Sequence, residues 1–200
     1  MQRRHGVFLV TLVSCVALGA SNASARAHWR HAANPAVGVH TITYDQTFGP
    51  RVKPALVKFQ DSNGVKVGTA RLIEDTDGVT IRLLLHHLPP GTHGIHLHAV
   101  GSCVRPDFAS AGAHFEMLHR QHGRLNNHGP HAGDLPNLQV NAHGRARKIF
   151  VTKQVTLSSG DHSLFHPGGT SIVIHAGPDD EHTDPSGNSG ARIACGVVER

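Results

Sequence analysis

From residue 79 to residue 85 the chain reads Val-Thr-Ile-Arg-Leu-Leu-Leu, with Val79, Ile81, Leu83 and Leu85 apolar at every second position. A period of two sets these side chains on one face of an extended strand. A helix, whose faces repeat about every 3.6 residues, would scatter them. The same spacing recurs around two hairpin signals. Ala55, Val57 and Phe59 alternate before Asn63-Gly64, and Val65, Val67 and Thr69 alternate between that pair and Asp77-Gly78. Asn-Gly and Asp-Gly tolerate the positive φ that a tight hairpin turn requires. Further strand-like runs cover Lys148–Leu157, Thr170–His175 and Arg192–Val198. Short strands at this spacing predict an all-β antiparallel sandwich or barrel, and 200 residues suffice for one such domain.

Two stretches break the pattern. Residues 101–145 carry Gly, Pro, Asn and His without periodicity and read as one long connection, and residues 176–191, AGPDDEHTDPSGNSGA, read as a second. Connections of this length are uncommon in compact domains unless they are functional.

The N-terminus has a different character. Arg3 and Arg4 precede a mostly apolar, uncharged run from Val7 to Ala20, and small residues follow at Ala23-Ser24-Ala25 and Ala25-Arg26-Ala27. This is the pattern of a cleaved export signal spanning residues 1–27, too short to span a bilayer. Leu12-Val13-Ser14-Cys15 offers an alternative, a lipobox whose Cys15 would carry a lipid anchor. Residues 28–51 form an N-terminal extension before the domain at 52–200. Cleavage after Ala25 would expose Arg26-Ala27-His28, an amino-terminal triplet able to bind Cu(II) in a square plane. Cleavage after Ala27 removes three arginines, leaving 16 basic against 14 acidic residues, a net charge of +2. No cluster of Lys and Arg with interleaved aromatics occurs, so no nucleic-acid partner is expected. With Cys15 removed, Cys103 and Cys195 remain. An oxidising compartment favours a disulfide between them over two buried thiols.

The chemistry lies in the histidines. There are 19 in 200 residues, and chance alone would yield about two His-x-His pairs, so His96-Leu97-His98 proves nothing alone. On a strand, however, both side chains fall on one face of a stiff sheet. Two more imidazoles would complete an all-nitrogen site suited to copper. The long connection supplies His114, His122, His131 and Asp134 at intervals of 8, 9 and 3. Three imidazoles and a carboxylate suit tetrahedral Zn²⁺.

Five segments, in order, carry a resemblance to a known family: GIHLHAVGSC (94–103), AGAHFEMLHRQHG (111–123), GPHAGDLPNL (129–138), SIVIHAGPDD (171–180) and SGNSGARIACGVV (186–198). The chain resembles the copper/zinc superoxide dismutases, most of all their secreted bacterial forms. The resemblance implies an eight-stranded antiparallel Greek-key β-barrel with long zinc-binding and electrostatic loops. It implies one copper and one zinc per subunit, with copper on His96, His98, His114 and His175 and zinc on His114, His122, His131 and Asp134. His114 would bridge the two ions. Arg192 would attract the superoxide anion, and Asp179 would accept hydrogen bonds from one copper and one zinc histidine. The Cys103–Cys195 bridge would anchor the loop beside Arg192. In such a site copper alternates between two oxidation states while His114 relays a proton. Superoxide would be the substrate, the site periplasmic or extracellular, and the protein a monomer or homodimer. A non-catalytic copper-buffering relative is the alternative.

Two departures stand out. Members of the family often carry Asn or Asp and then Pro after the aromatic neighbour of the bridging histidine, where this chain has Glu116-Met117. Residues 176–191 hold four acids and no lysine, so anion steering would rest on Arg192 and depend weakly on salt. His86, His87, His119, His128, His162, His166 and His182 match no role.

Overall fold

A computed structural model describes residues 52–200. The expectations for the leader, the lipobox at Cys15, the extension at 28–51 and the Arg26-Ala27-His28 triplet lie outside the described residues.

Nine strands make up the fold: β1 (Ala55–Asp61), β2 (Lys66–Asp75), β3 (Gly78–Leu85), β4 (Gly91–His93), β5 (Ile95–His98), β6 (Leu138–Val140), β7 (Ala146–Thr152), β8 (Ser171–His175) and β9 (Arg192–Glu199). The only helical element among the described residues is a 3₁₀ turn at Ala109–Ala111. Seven strands form one antiparallel sheet in the order β5-β8-β9-β1-β2-β3-β7, and β4 pairs with β6 in a second. The large sheet is curled, and three of its pairings join strands distant in sequence, β5 with β8, β9 with β1 and β3 with β7, as in a Greek key. β4 and β5 are one run bent at Gly94, on either side of which the strand changes partner from β6 to β8. Counted so, the eight expected strands are present. Gly94 is held to the second long loop by its N–H, which donates to the Gly177 carbonyl at 2.8 Å. A Cβ at position 94 would stand 2.9 Å from Ser189 Cβ.

The period-two reading of β3 is exact in its register. Val79, Ile81, Leu83 and Leu85 are buried and Arg82 and Leu84 exposed. The Asn63-Gly64 hairpin forms, with Asp61 Oδ1 accepting the N–H groups of Asn63 (2.9 Å) and Val65 (2.8 Å). The core lies inside the curl, where Val57, Phe59, Leu72, Ile81, Leu97, Leu138, Ile172 and Ile174 are all at most 1% exposed. Full burial of each such side chain contributes about 1.5–3 kcal/mol.

Two expectations need correction. Residues 101–145 are not one unbroken connection, because β6 interrupts them. Three residues are too few to register as a period, and only the pairing with β4 makes Leu138–Val140 a strand. The strand expected to run from 148 to 157 ends at Thr152. Val155 and Leu157 are buried from a loop that folds back, and their apolar character mimics a strand extension.

Candidate metal centre

β5 is buried at all four positions. Ile95 and Leu97 face the core, as expected of alternate residues, but His96 and His98 are covered too. β5 ends the sheet order, and its free edge is taken up by the long loop. Phe115 N–H donates to the Leu97 carbonyl (2.8 Å), Leu97 N–H to the Gly133 carbonyl (2.9 Å) and Ala99 N–H to the Ala113 carbonyl (2.9 Å). His98 thereby bridges to His114 and His96 to Asp134 in antiparallel pairing. A neighbouring strand, β8, brings in His175, opposite Arg192 of β9.

One ring nitrogen of each of His96, His98, His114 and His175 lies within 4.8 Å of the other three. Each of these rings has one nitrogen bonded and one free. His98 Nδ1 donates to the Gly112 carbonyl (3.0 Å) and His175 Nδ1 to the Gly190 carbonyl (3.1 Å). His96 Nε2 meets Asp179 Oδ2 at 2.8 Å, and His114 Nδ1 meets Asp134 Oδ1 at 3.0 Å. Left buried without a partner are His96 Nδ1, His98 Nε2, His114 Nε2 and His175 Nε2. A carbonyl only accepts, so His98 and His175 must carry their protons on Nδ1 and present bare lone pairs at Nε2. Buried polar atoms are rarely left unpaired, and four converging lone pairs are a set of metal donors. An all-imidazole set suits copper.

Burial depresses the basicity of three of these rings. His98 is pushed down to about 2, His96 to about 3 against its bond to Asp179, and His175 to about 4. His114 is lowered for the same reason, with Asp134 opposing. In each ring burial favours the neutral form that a metal ligand requires.

On the other side of His114, Asp134 Oδ1 collects three Nδ1 atoms: His114 at 3.0 Å, His122 at 2.9 Å and His131 at 3.5 Å. Its other oxygen accepts the N–H groups of Gly123 and His131, both at 2.9 Å. A second set of donor atoms, from His96, His114, His122 and Asp134, also lies within 4.8 Å of one another; it differs from the expected zinc set by having His96 in place of His131. The chemistry favours His131. Both nitrogens of His96 are committed, one to Asp179 and one to the four-histidine group. His131 Nδ1 stands 3.4 Å from His114 Nδ1, on the Asp134 side.

Asp179 joins the two groups. Oδ2 takes His96, and Oδ1 takes His122 Nε2 (3.0 Å) and the Glu181 N–H (2.6 Å). Burial would drive this carboxyl up, but these hydrogen bonds hold it well below the usual range. Burial likewise opposes charge on His122, yet its bonds to Asp134 and Asp179 raise it to about 9. Asn137 holds Asp179 in turn: the Asp179 N–H donates to Asn137 Oδ1 (2.9 Å) and Asn137 Nδ2 donates to the Asp179 carbonyl (2.8 Å).

His98, His114 and His175 of the four-histidine group open on a cleft of about 1050 Å³. Arg192 lines it, with Nη1 donating to the Phe108 carbonyl and Nη2 to the Gly112 carbonyl, both at 2.7 Å. Arg120, Asp107, Glu116 and Asp184 also line it. Cys103 and Cys195 are bonded, with Cα atoms 5.7 Å apart. The bridge fixes the loop to β9 three residues beyond Arg192.

Several contributors were invisible in the sequence. Asn137 lies in GPHAGDLPNL (129–138) but acts only through a partner 42 residues away. Arg120 reaches the cleft from the long loop between β5 and β6. His93, buried, sets Nδ1 2.8 Å from the His175 carbonyl and Nε2 2.9 Å from that of Pro89. Glu116, the departure noted above, shapes its own turn by accepting the N–H groups of Leu118 and Ala132.

Comparison with known proteins agrees with this geometry. Residues 66–198 match the copper/zinc superoxide dismutase (SODC) family. The chain is 48% identical to superoxide dismutase [Cu-Zn] 1 of Aquifex aeolicus, over 70% of this chain and 83% of that protein. A solved structure of a double mutant of a SOD-like protein from Bacillus subtilis has a TM-score of 0.71 at 42% identity, covering 72% of this chain and 97% of the other. The Cu/Zn superoxide dismutase from Brucella abortus has a TM-score of 0.60 at 29% identity, covering 74% and 100%.

Proposed function

The chain belongs to the copper/zinc superoxide dismutase family, and from that premise we propose how its own residues perform the reaction. It is an oxidoreductase that uses copper and zinc to convert two superoxide anions and two protons into dioxygen and hydrogen peroxide. Copper would be held by His96 Nδ1, His98 Nε2, His114 Nε2 and His175 Nε2. Zinc would be held by His122, His131 and Asp134 together with the other nitrogen of His114. When bound, copper supplies the one-electron couple and zinc an ion that does not change oxidation state.

Arg192 draws the anion into the cleft and orients it. Two carbonyls fix its guanidinium, which leaves the remaining N–H groups for a ligand. His114 presents Nδ1 to Asp134 and a free Nε2 to the other three rings, so Nε2 is the atom at which this ring would hold a proton whenever it is not serving as a metal donor. Asp179 keeps the His96 and His122 rings in the required tautomers. The covered β5 excludes bulk water from the histidine side of the cleft.

The four unpartnered, converging ring nitrogens carry this reading. The test is superoxide consumption by the copper- and zinc-loaded protein beside His98→Ala, with the Cu(II) spectrum recorded for both. Equal activity in the variant would sink the copper assignment. A copper-buffering role alone leaves Arg192, clamped at the cleft, without purpose.

We further propose that residues 1–27 are a leader, 28–51 an extension and 52–200 the catalytic domain of an exported, periplasmic or extracellular enzyme. The apolar N-terminal run supports this, as does a disulfide that an oxidising compartment preserves. Mass analysis of the native N-terminus separates simple cleavage from lipidation at Cys15. No helix among the described residues is long and apolar enough to cross a membrane. Sedimentation of the purified protein distinguishes monomer from homodimer.

A further inference from the structure

The outer face of β2, β3 and β7 carries a grid that the dismutase reaction does not use. Arg71 lies directly opposite Arg82, Arg82 opposite Ile149, and Leu84 opposite Arg147. On β1, Leu56 lies opposite Arg71, and Lys58 stands two residues along the same face. The aliphatic members are far from buried: Leu56 is 50%, Leu84 55%, Ile149 52% and Val151 58% exposed. Arg71, Arg82 and Arg147 are also exposed, and among the described residues none has a carboxylate partner. The nearest acids in register are peripheral: Asp75 at the β2–β3 turn and Glu199 opposite Leu56.

Like charges directly opposite on neighbouring strands destabilise a sheet. An Arg71–Arg82 pair flanked by more cations is therefore a cost without a structural return. A partner that supplies negative charge removes it. The half-exposed aliphatics among the cations call for a partner with apolar material just beneath the charge. A second copy of this chain does not meet that need, because a two-fold interface would press the cations of one patch onto their equivalents. A bare polyanion would leave the aliphatics in water.

We propose that this face docks on an anionic lipid bilayer, its arginines on lipid phosphates and Leu84, Ile149 and Val151 among the headgroups. The patch shares no residue with the cleft, and β7 lies at the far end of the sheet order from β5. Docking thus leaves the metal site free to meet its substrate.

The processed, metal-loaded protein is sedimented with vesicles of phosphatidylcholine containing a minority of phosphatidylglycerol, with pure phosphatidylcholine vesicles, and with soluble polyphosphate. It partitions onto the first and not the second, and added salt weakens the binding. Arg71→Gln/Arg82→Gln weakens partitioning roughly 30-fold, from the usual contribution of two cations at an anionic surface. Leu84→Ser/Ile149→Ser weakens vesicle binding but leaves polyphosphate binding unchanged. Both variants keep wild-type superoxide consumption, which shows that they are folded. The idea is overturned if the protein ignores the anionic vesicles or if either double variant binds them like wild type. It is also overturned if the arginine variant abolishes a dimer seen in solution, which would make the face a subunit contact.

Discussion

Arg192 and His98 share one acceptor: the Gly112 carbonyl receives Arg192 Nη2 at 2.7 Å and His98 Nδ1 at 3.0 Å. The group assigned to draw in the anion and a ring assigned to copper are therefore held by the same peptide. Arg192→Gln should lower kcat/KM roughly 10–100-fold, the loss of a charged hydrogen-bond donor to the bound anion at about 1.5–3 kcal/mol. Copper content should stay unchanged, because Gly112 still holds His98. Steady-state superoxide assays with metal analysis check this, and an unimpaired variant would remove Arg192 from the mechanism.

Asp179 couples His96 to His122. Asp179→Ala should weaken zinc binding roughly 10–100-fold, the usual effect of losing a bond that orients a ligand. Gly187→Ala should act in the same direction. Its φ is +61°, and an added Cβ would run into Asp179 Oδ1. Chelator competition measures both, and unchanged affinities would show that the clamp is dispensable.

The Cys103–Cys195 bridge joins positions 92 residues apart. In the chain-entropy account, Cys103→Ser should cost about 4–5 kcal/mol. The urea midpoint of the variant should match that of reduced wild type. A difference between them would place the effect in side-chain packing instead of the cross-link.

Metal-free protein should be most stable near pH 6.5. His96, His98 and His175 stay neutral in the fold to about 3, 2 and 4, whereas unfolded histidines protonate below 6.5. Below pH 6.5 the unfolded state then binds more protons, and stability drops by about 1.4 kcal/mol for each ring per unit decrease in pH. His122 acts oppositely. Its value of about 9 makes the folded state bind the extra proton between 6.5 and 9, so stability falls as pH rises through that window. Urea titrations at pH about 5, 6.5 and 8.5 check the sign. A midpoint that rises steadily across the series would refute it.

The rate should depend weakly on salt. Arg120 and Arg192 share the cleft with Asp107, Glu116 and Asp184, and the loop at 176–191 adds acids without a lysine. Such a mixed field focuses an anion poorly. A steep decline of kcat/KM with ionic strength would show a stronger positive potential than these residues supply.

The strands and most of the donor set were legible in the chain itself. Alternation at 79–85 follows from the two-residue period of an extended backbone, and any sheet would bury that face. His96 and His98 share a face for the same reason, and the 8-9-3 ladder of His114, His122, His131 and Asp134 marks a loop with chemistry. What the chain alone left undecided depends on contacts between distant residues. The loop adds itself to the free edge of β5, and only that pairing sets His114 against His98 and Asp134 against His96. Which nitrogen of each ring is free follows from carbonyls at Gly112 and Gly190 and a carboxylate at Asp179, far away in sequence. The arginines of β2, β3 and β7 are scattered along the chain by strand alternation and form no run. Hydrogen-bonded register alone gathers them, because a sheet places side by side residues that its sequence keeps apart.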